Sequence, residues 1–168
     1  MLKIRKAFPK DAGEIVKLIK ALAEFEKEPD AVKITEADVI EHGFNKDPGS
    51  NYFECLMAEW GERVVGFALY FFTYSTWEGR SGLYLEDLFI LPKYRRHSIA
   101  RGLMVELSKI AVEKECSRLE WQVLDWNVNA IDFYKSIGAS HLKEWHTYRL
   151  GVGEIEALSM KKMSDKIK

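Results

Sequence analysis

Residues 84–101 constrain the fold of this chain more than any other segment. They read YLEDLFILPKYRRHSIAR: a strand that stops, a helix that starts, and a reversal of charge between them. Leu85, Leu88, Phe89 and Ile90 belong in a sheet interior, yet Glu86 and Asp87 stand among them. Successive strand residues point to opposite faces, so the two carboxylates share a face only where the strand bulges. Without a bulge, one is exposed and the other is a paired core acid; a carboxylate placed in a cleft would instead serve as a general base. Leu91-Pro92 ends the strand, because proline has no N–H to give to a ladder. Residues 93–101 then hold Lys93, Arg95, Arg96 and Arg101 without an acid and lead into a helix. Helix N-terminal N–H groups beside arginines bind anions, phosphate above all. A solvated basic loop is the other reading of the same charges.

Hydrophobic periodicity arranges the rest of the chain around this segment. Residues 2–5 alternate apolar and basic, as a short strand does. Pro9 and Asp11 open a helix in which Ile15, Leu18, Ile19, Leu22 and Phe25 form one apolar stripe, with Asp11 and Glu14 at capping-box spacing. Thr35 and Asp38 repeat the box before a short helix that Gly43 ends, and residues 45–51 are a loop. Residues 52–60 and 63–74 form a hairpin across Gly61-Glu62, and residues 82–90 form the next strand. Residues 99–114 are helical, 119–124 a strand, and 129–137 a helix closed by Gly138. Residues 142–150 and 155–163 make a last hairpin around Gly151-Val152-Gly153. The order β-α-α-β-β-β-α-β-α-β-β predicts an α/β fold, a mixed and mostly antiparallel sheet with helices on both faces. Residues 82–124 then form a right-handed parallel crossover.

The 168 residues are 47% hydrophobic, with no composition shift or linker, and fit a single domain spanning 1–168. Twenty-five basic and 26 acidic residues give a net charge of -1, which argues against a general nucleic-acid binder. No apolar run approaches the roughly 20 residues of a membrane span, and the opening MLKIRKAFPKD lacks the apolar core of a secretory signal. Cys55 and Cys116 lie far apart and flank no histidine at ligand spacing, so neither a disulfide nor a zinc site is expected, and a reducing cytoplasmic setting is. His42, His97, His141 and His146 share no metal-ligand spacing either.

The strand, LxP, YR, small-residue loop and helix of residues 84–101 resemble the acetyl-CoA signature of the Gcn5-related N-acetyltransferases. That signature runs Arg/Gln-x-x-Gly-x-Gly/Ala; here it is Arg95-Arg96-His97-Ser98-Ile99-Ala100. Alanine fits the last position, whereas Ser98 replaces the first glycine. IKALAEFEKEPDAVKIT (19–35), YFFTYSTWEGR (70–80), YLEDLF (84–89) and VLDWNVNAIDFYKSIGA (123–139) are similar to the diamine acetyltransferases. The Tyr-Ser-Thr-Trp and Val-Leu-Asp-Trp-Asn wording is closer to their thialysine-acetylating branch than to the spermidine/spermine branch, and KEWHTYRL resembles bacterial members.

The resemblance implies an acetyl-CoA-dependent N-acetyltransferase acting on a small primary amine by direct attack in a ternary complex. Glu86 matches the family's strand carboxylate that deprotonates the amine, and Tyr134 its general acid. The backbone of Leu88, Phe89 and Ile90 is expected to pair with the pantetheine arm, with a Leu88 N–H polarising the thioester oxygen. Arg95, Arg96, His97, Ser98, Ile99, Ala100 and Arg101 would wrap the pyrophosphate, and Asn127, Val128 and Asn129 would line the cofactor's arm. On the acceptor side stand Phe25 and Glu26, with Glu86, Asp87 and Trp77; Glu24, Glu28 and Asp30 add to the negative field. Ser75 stands where spermidine/spermine members carry an acid, which favours an amine that also bears a carboxylate. Ser98 narrows the φ freedom that glycine gives. The family further implies a homodimer, with no metal. Acetylation of a protein or peptide, or an acyl-CoA-binding module without turnover, are the alternatives.

Overall fold

Alternating apolar strands build the first part of the molecule around a five-stranded sheet. β1 (Leu2–Lys6), β2 (Glu54–Trp60), β3 (Arg63–Ser75), β4 (Arg80–Ile90) and β5 (Leu119–Trp121) lie in the order β1-β2-β3-β4-β5. The first four are antiparallel neighbours, and β5 joins β4 in parallel. This is the mixed, mostly antiparallel sheet expected. The structure, a computed structural model, describes residues 1–161. The chain divides into two units, Met1–Gln122 and Val123–Lys168.

Both faces of the first unit's sheet are covered. Cys55, Met57, Phe67, Leu69 and Phe89 alternate onto one face. There they form a core with Ala12, Ile15, Val16 and Leu18 of α1 (Ala12–Phe25) and Val39 of α2 (Glu36–Gly43). Ile4, Leu56, Ala58 and Ala68 turn to the other face, where Leu103, Met104 and Leu107 of α3 (Ile99–Glu113) are buried. Gly102 of α3 lies so close that a Cβ there would stand 2.8 Å from Ile4 Cδ1. Burial of a side chain such as Phe67 or Ile15 contributes about 1.5–3 kcal/mol. β2 and β3 are joined by Gly61-Glu62 as expected, with Gly61 at a φ of 66°.

The start of α1 differs from expectation. The Asp11–Glu14 capping box does not form. Asp11 accepts from Phe8 N–H at 2.7 Å and takes both Arg5 Nη atoms, at 2.7 and 3.0 Å, while Arg5 Nε donates to Glu59 at 2.6 Å. The guanidinium is the stronger partner, so Asp11 ties β1 and β2 to the turn before the helix and Glu14 pairs with Lys17. The Thr35–Asp38 box does form.

The second unit holds α4 (Val128–Ser136) and α5 (Val152–Ser159). Two expectations are corrected here. β5 ends at Trp121 rather than at residue 124, because Leu124 O accepts from Asn127 N–H at 3.0 Å and the chain turns. The final hairpin is absent: residues 142–150 form no strand, and residues 152–159 are helical. Ile155, Ala157 and Leu158 sit among residues whose intrinsic preference is helical, Glu154 favours a helix N-terminus, and Gly151 is the N-cap rather than a hairpin turn. Lys162 and Met163 of that expected strand lie outside the described residues. Among the described residues no helix is long and apolar enough to cross a membrane.

Candidate active site

The broken alternation of Leu-Glu-Asp-Leu is resolved by a bulge. Tyr70 faces Leu85 and Leu69 faces Asp87, so Glu86 is the extra residue on β4, without a partner in the β3 register. Glu86 is exposed; Asp87 is half-buried on the face that also carries Leu69 and Phe89. Burial pushes the Asp87 carboxyl up to about 7, with repulsion from Glu86 and then Glu26 adding to it. Glu26, which ends α1, is itself raised by burial. Three predicted acids are thus brought together from β4 and the end of α1. Phe71 and Tyr84 stack at 5.2 Å on the same sheet face, a pair that the sequence reading missed; register across the bulge is the signal that places them there.

The bulge sits at a fork in the sheet. β5 pairs with Leu83, Tyr84 and Leu85 only, so residues 86–90 have β3 on one side and no strand of the sheet on the other. Leu91 N–H donates to Val65 O at 2.9 Å. Antiparallel alternation then makes the 89/67 and 87/69 pairs hydrogen-bonded and turns the N–H and C=O of Leu88 and Ile90 toward the open side. An extended chain bearing amides fits that edge as an added strand.

Beyond Ile90 the chain makes a turn at Pro92–Tyr94 and reaches α3 through Arg95–Ser98. Arg96 and Ser98 both adopt left-handed backbone, with φ of 65° and 59°. The glycine-like conformation expected at Ser98 is therefore retained without glycine, and Arg96 shares it. Each such residue costs about 1–2 kcal/mol. Ser98 is the N-cap of α3 but makes no side-chain cap, so the first N–H groups of α3 depend on another acceptor. Ile99 is buried and offers only its backbone, Ala100 is half-buried, and Arg96 and Arg101 are exposed. His97 packs on Trp60, ring centroids 5.0 Å apart.

Arg95 turns away from the loop it opens. Its Nε donates to Ile90 O at 3.1 Å, and its guanidinium lies 4.5 Å from the Phe25 ring centroid and 5.6 Å from that of Phe89. Phe25 and Phe89 are themselves 6.4 Å apart. The side chain thus lies with Phe25 on the predicted acceptor side.

Two predicted residues on the β3–β4 hairpin stand apart. Trp77 is 90% exposed at the tip, and the strand from Arg80 to Glu86 alone spans about 20 Å at roughly 3.3 Å per residue. Ser75 is buried, and its hydroxyl accepts from Glu78 N–H at 3.3 Å. That side chain builds the turn, which removes its weight in choosing an acceptor.

In the second unit Tyr134 lies on α4, and burial pushes its phenol up to about 12. Asn127 caps α4, its Oδ1 accepting from Ala130 N–H at 3.3 Å, and Val128 and Asn129 are exposed in the first turn. Burial raises the thiols of Cys55 and Cys116, which makes both poor nucleophiles.

The open strand edge, the phosphate-ready helix start and the acid cluster agree with what similar proteins are. A family model described as acetyltransferase (GNAT) family matches residues 16–139. A thialysine N-epsilon-acetyltransferase of Bos taurus is 43% identical over 157 residues, covering 87% of this chain and 90% of that protein. An L-ornithine N5-acetyltransferase of Arabidopsis thaliana is 41% identical over 95 residues, 56% of this chain and 42% of that one. Among solved structures, an integron cassette protein from the mobile metagenome of V. cholerae superposes with a TM-score of 0.79 at 25% identity, covering 95% of this chain and 98% of that one. The chain belongs to the acetyltransferase (GNAT) family and is an N-acetyltransferase.

Proposed function

We propose that the protein moves an acetyl group from acetyl-CoA to the side-chain amine of a small, lysine-like amino acid by direct attack in a ternary complex. The observation that carries this is the bulge on β4, which sets a carboxylate cluster directly beside an open strand edge. Acetyl-CoA supplies the acetyl group as a thioester. Leu88 and Ile90 would hold its amide arm, and the first N–H groups of α3, with Arg96 and Arg101, its pyrophosphate.

An alkylammonium ionises near pH 10.4 in water, far above an ordinary carboxyl near 4. Asp87, pushed up to about 7, narrows that gap and accepts a proton more readily. Glu86, exposed at the bulge, would take the proton onward, directly or through water. The Leu88 N–H donates to the thioester oxygen as charge develops on it. Tyr134, its phenol held at about 12 by burial, stays protonated at neutral pH, as the general acid that the family resemblance implies must be. Neither cysteine takes part.

The amino-acid acceptor is supported by relatives named for thialysine and ornithine. We also take the chain as one acetyltransferase domain, on its even composition, in a cytoplasmic setting, on its cysteine usage, and as a homodimer, on the family resemblance. Thiol release from acetyl-CoA with thialysine, ornithine, spermidine and a basic peptide tests the acceptor. Turnover is expected with the two amino acids above the other two. Turnover with the peptide alone, or acetyl-CoA binding without turnover, would replace it. Glu86→Gln should cost 10²–10⁴-fold in kcat, and Tyr134→Phe should lower kcat more than it raises KM. Full rate in both variants would remove the assigned roles.

A further inference from the structure

One side chain spans the phosphate loop and the acceptor wall. Arg95 begins the loop whose next residues, Arg96 and Ser98, are held in left-handed backbone. Its guanidinium does not project toward the start of α3. It is fixed by Nε to Ile90 O and stacked over Phe25 at the end of α1 and Phe89 on β4. It makes no ion pair among the described residues, so rings and one carbonyl are what hold it. A planar guanidinium suits that arrangement, because it stacks on aromatic faces while donating in its own plane.

The other end of this clamp is a short helix terminus. After Phe25 the chain closes α1 through Glu26 N–H to Leu22 O at 2.9 Å, Lys27 N–H to Glu24 O at 3.2 Å and Glu28 N–H to Ala23 O at 2.9 Å, with Lys27 at a φ of 66°. Glu26 in that turn is one of the two acids that bear on Asp87. Arg95 and Phe25 thus connect the phosphate loop to the turn that carries Glu26, beside the contacts that Arg95 makes with Ile90 and Phe89 of β4.

We infer that Arg95 is a positioning residue that joins the phosphate loop to the Phe25–Glu26 end of α1, so that seating CoA orders the acceptor wall. Strain in the loop makes it responsive: an anion that fixes Arg96–Ser98 also fixes Arg95, and the stacked ring follows. By linkage the effect is reciprocal, and an acceptor that orders the end of α1 tightens CoA. This inference rests on the reading of residues 95–101 as the CoA site.

Amide hydrogen exchange with CoA alone tests it, since CoA cannot react. In the wild type, saturating CoA is expected to slow exchange of the amides of residues 26–28 about fivefold or more. Arg95→Gln should bind CoA yet lose that protection, and Arg95→Lys, which keeps the cation but not the planar fork, should restore part of it. Phe25→Leu leaves the loop intact and should lose the protection as well, which covers the case of a loosened Arg95→Gln. Protection that persists in Arg95→Gln and Phe25→Leu, or that is absent from a CoA-bound wild type, overturns the inference. Failure of the wild type to bind CoA overturns the CoA site itself, and this inference with it.

Discussion

Asp87 is the residue whose environment is most at odds with its chemistry. Burial and two neighbouring acids hold it up at about 7. The native state therefore keeps a proton that the unfolded chain releases near pH 4, and stability falls as pH rises through that window. Asp87→Asn is expected to raise stability at pH 8 by on the order of 2 kcal/mol after solvent screening, with the gain vanishing below pH 4. Chemical denaturation at both values checks it, and an equal gain at both would contradict the assigned cause. Ser98 makes a smaller statement of the same kind. Its left-handed backbone costs about 1–2 kcal/mol, and glycine returns about 0.4–1 kcal/mol of that as unfolded-state entropy. Ser98→Gly should thus stabilise modestly, by about 0.5 kcal/mol, and bind acetyl-CoA more tightly by calorimetry; equal affinities would show that the serine is already relaxed. Both residues were legible as candidates in the sequence. Their magnitudes were not, because burial and φ are set by neighbours from other elements.

At the scale of elements, β4 carries most of the design. Its sequence announced a conflict between an apolar strand and two acids, and named a bulge as the way to put both to use. Which residue bulges depends on the pairing with β3, a long-range fact that spacing cannot supply. The β2–β3 hairpin and the Thr35–Asp38 cap were read correctly because each rests on adjacent residues. The last hairpin differs because Gly151-Val152-Gly153 reads as a turn, while Ala157 and Leu158 favour a helix locally and Gly151 is its N-cap. Asp11 was misassigned for the opposite reason: Arg5, from another element, outcompetes the local cap. That ion network joins β1, β2 and the approach to α1, and Arg5 holds the Asp11 carboxyl well below its ordinary value. A carboxylate lowered in this way adds stability above its unfolded pKa and loses it as pH falls through the folded one. Asp11→Ala is expected to cost about 1.5–3 kcal/mol at pH 7, since it removes both Nη contacts of Arg5 and leaves Glu59 as the guanidinium's remaining acid, and less below pH 3; a cost independent of pH would point to packing instead.

For the whole molecule, a net charge of -1 hides a sorting of charge. The approach to α3 is basic, and the face of β4 beside the end of α1 is acidic. Arg95 is the exception, a cation from the basic loop laid on the rings of the acidic side. The sequence showed the two patches; only the fold shows the side chain that crosses between them. Such an arrangement suits an anionic donor and a cationic acceptor, which the proposed function would bring together at the bulged pair of acids.

The pH dependence of kcat/KM for thialysine acetylation tests that pair most directly. The wild type should lose activity below a midpoint near 7. Glu26→Gln, which removes one repelling charge, should move the midpoint to lower pH, and Asp87→Asn should abolish it at a lower plateau. A midpoint that stays in place in both variants would show that the carboxylates at the bulge do not take the proton from the amine.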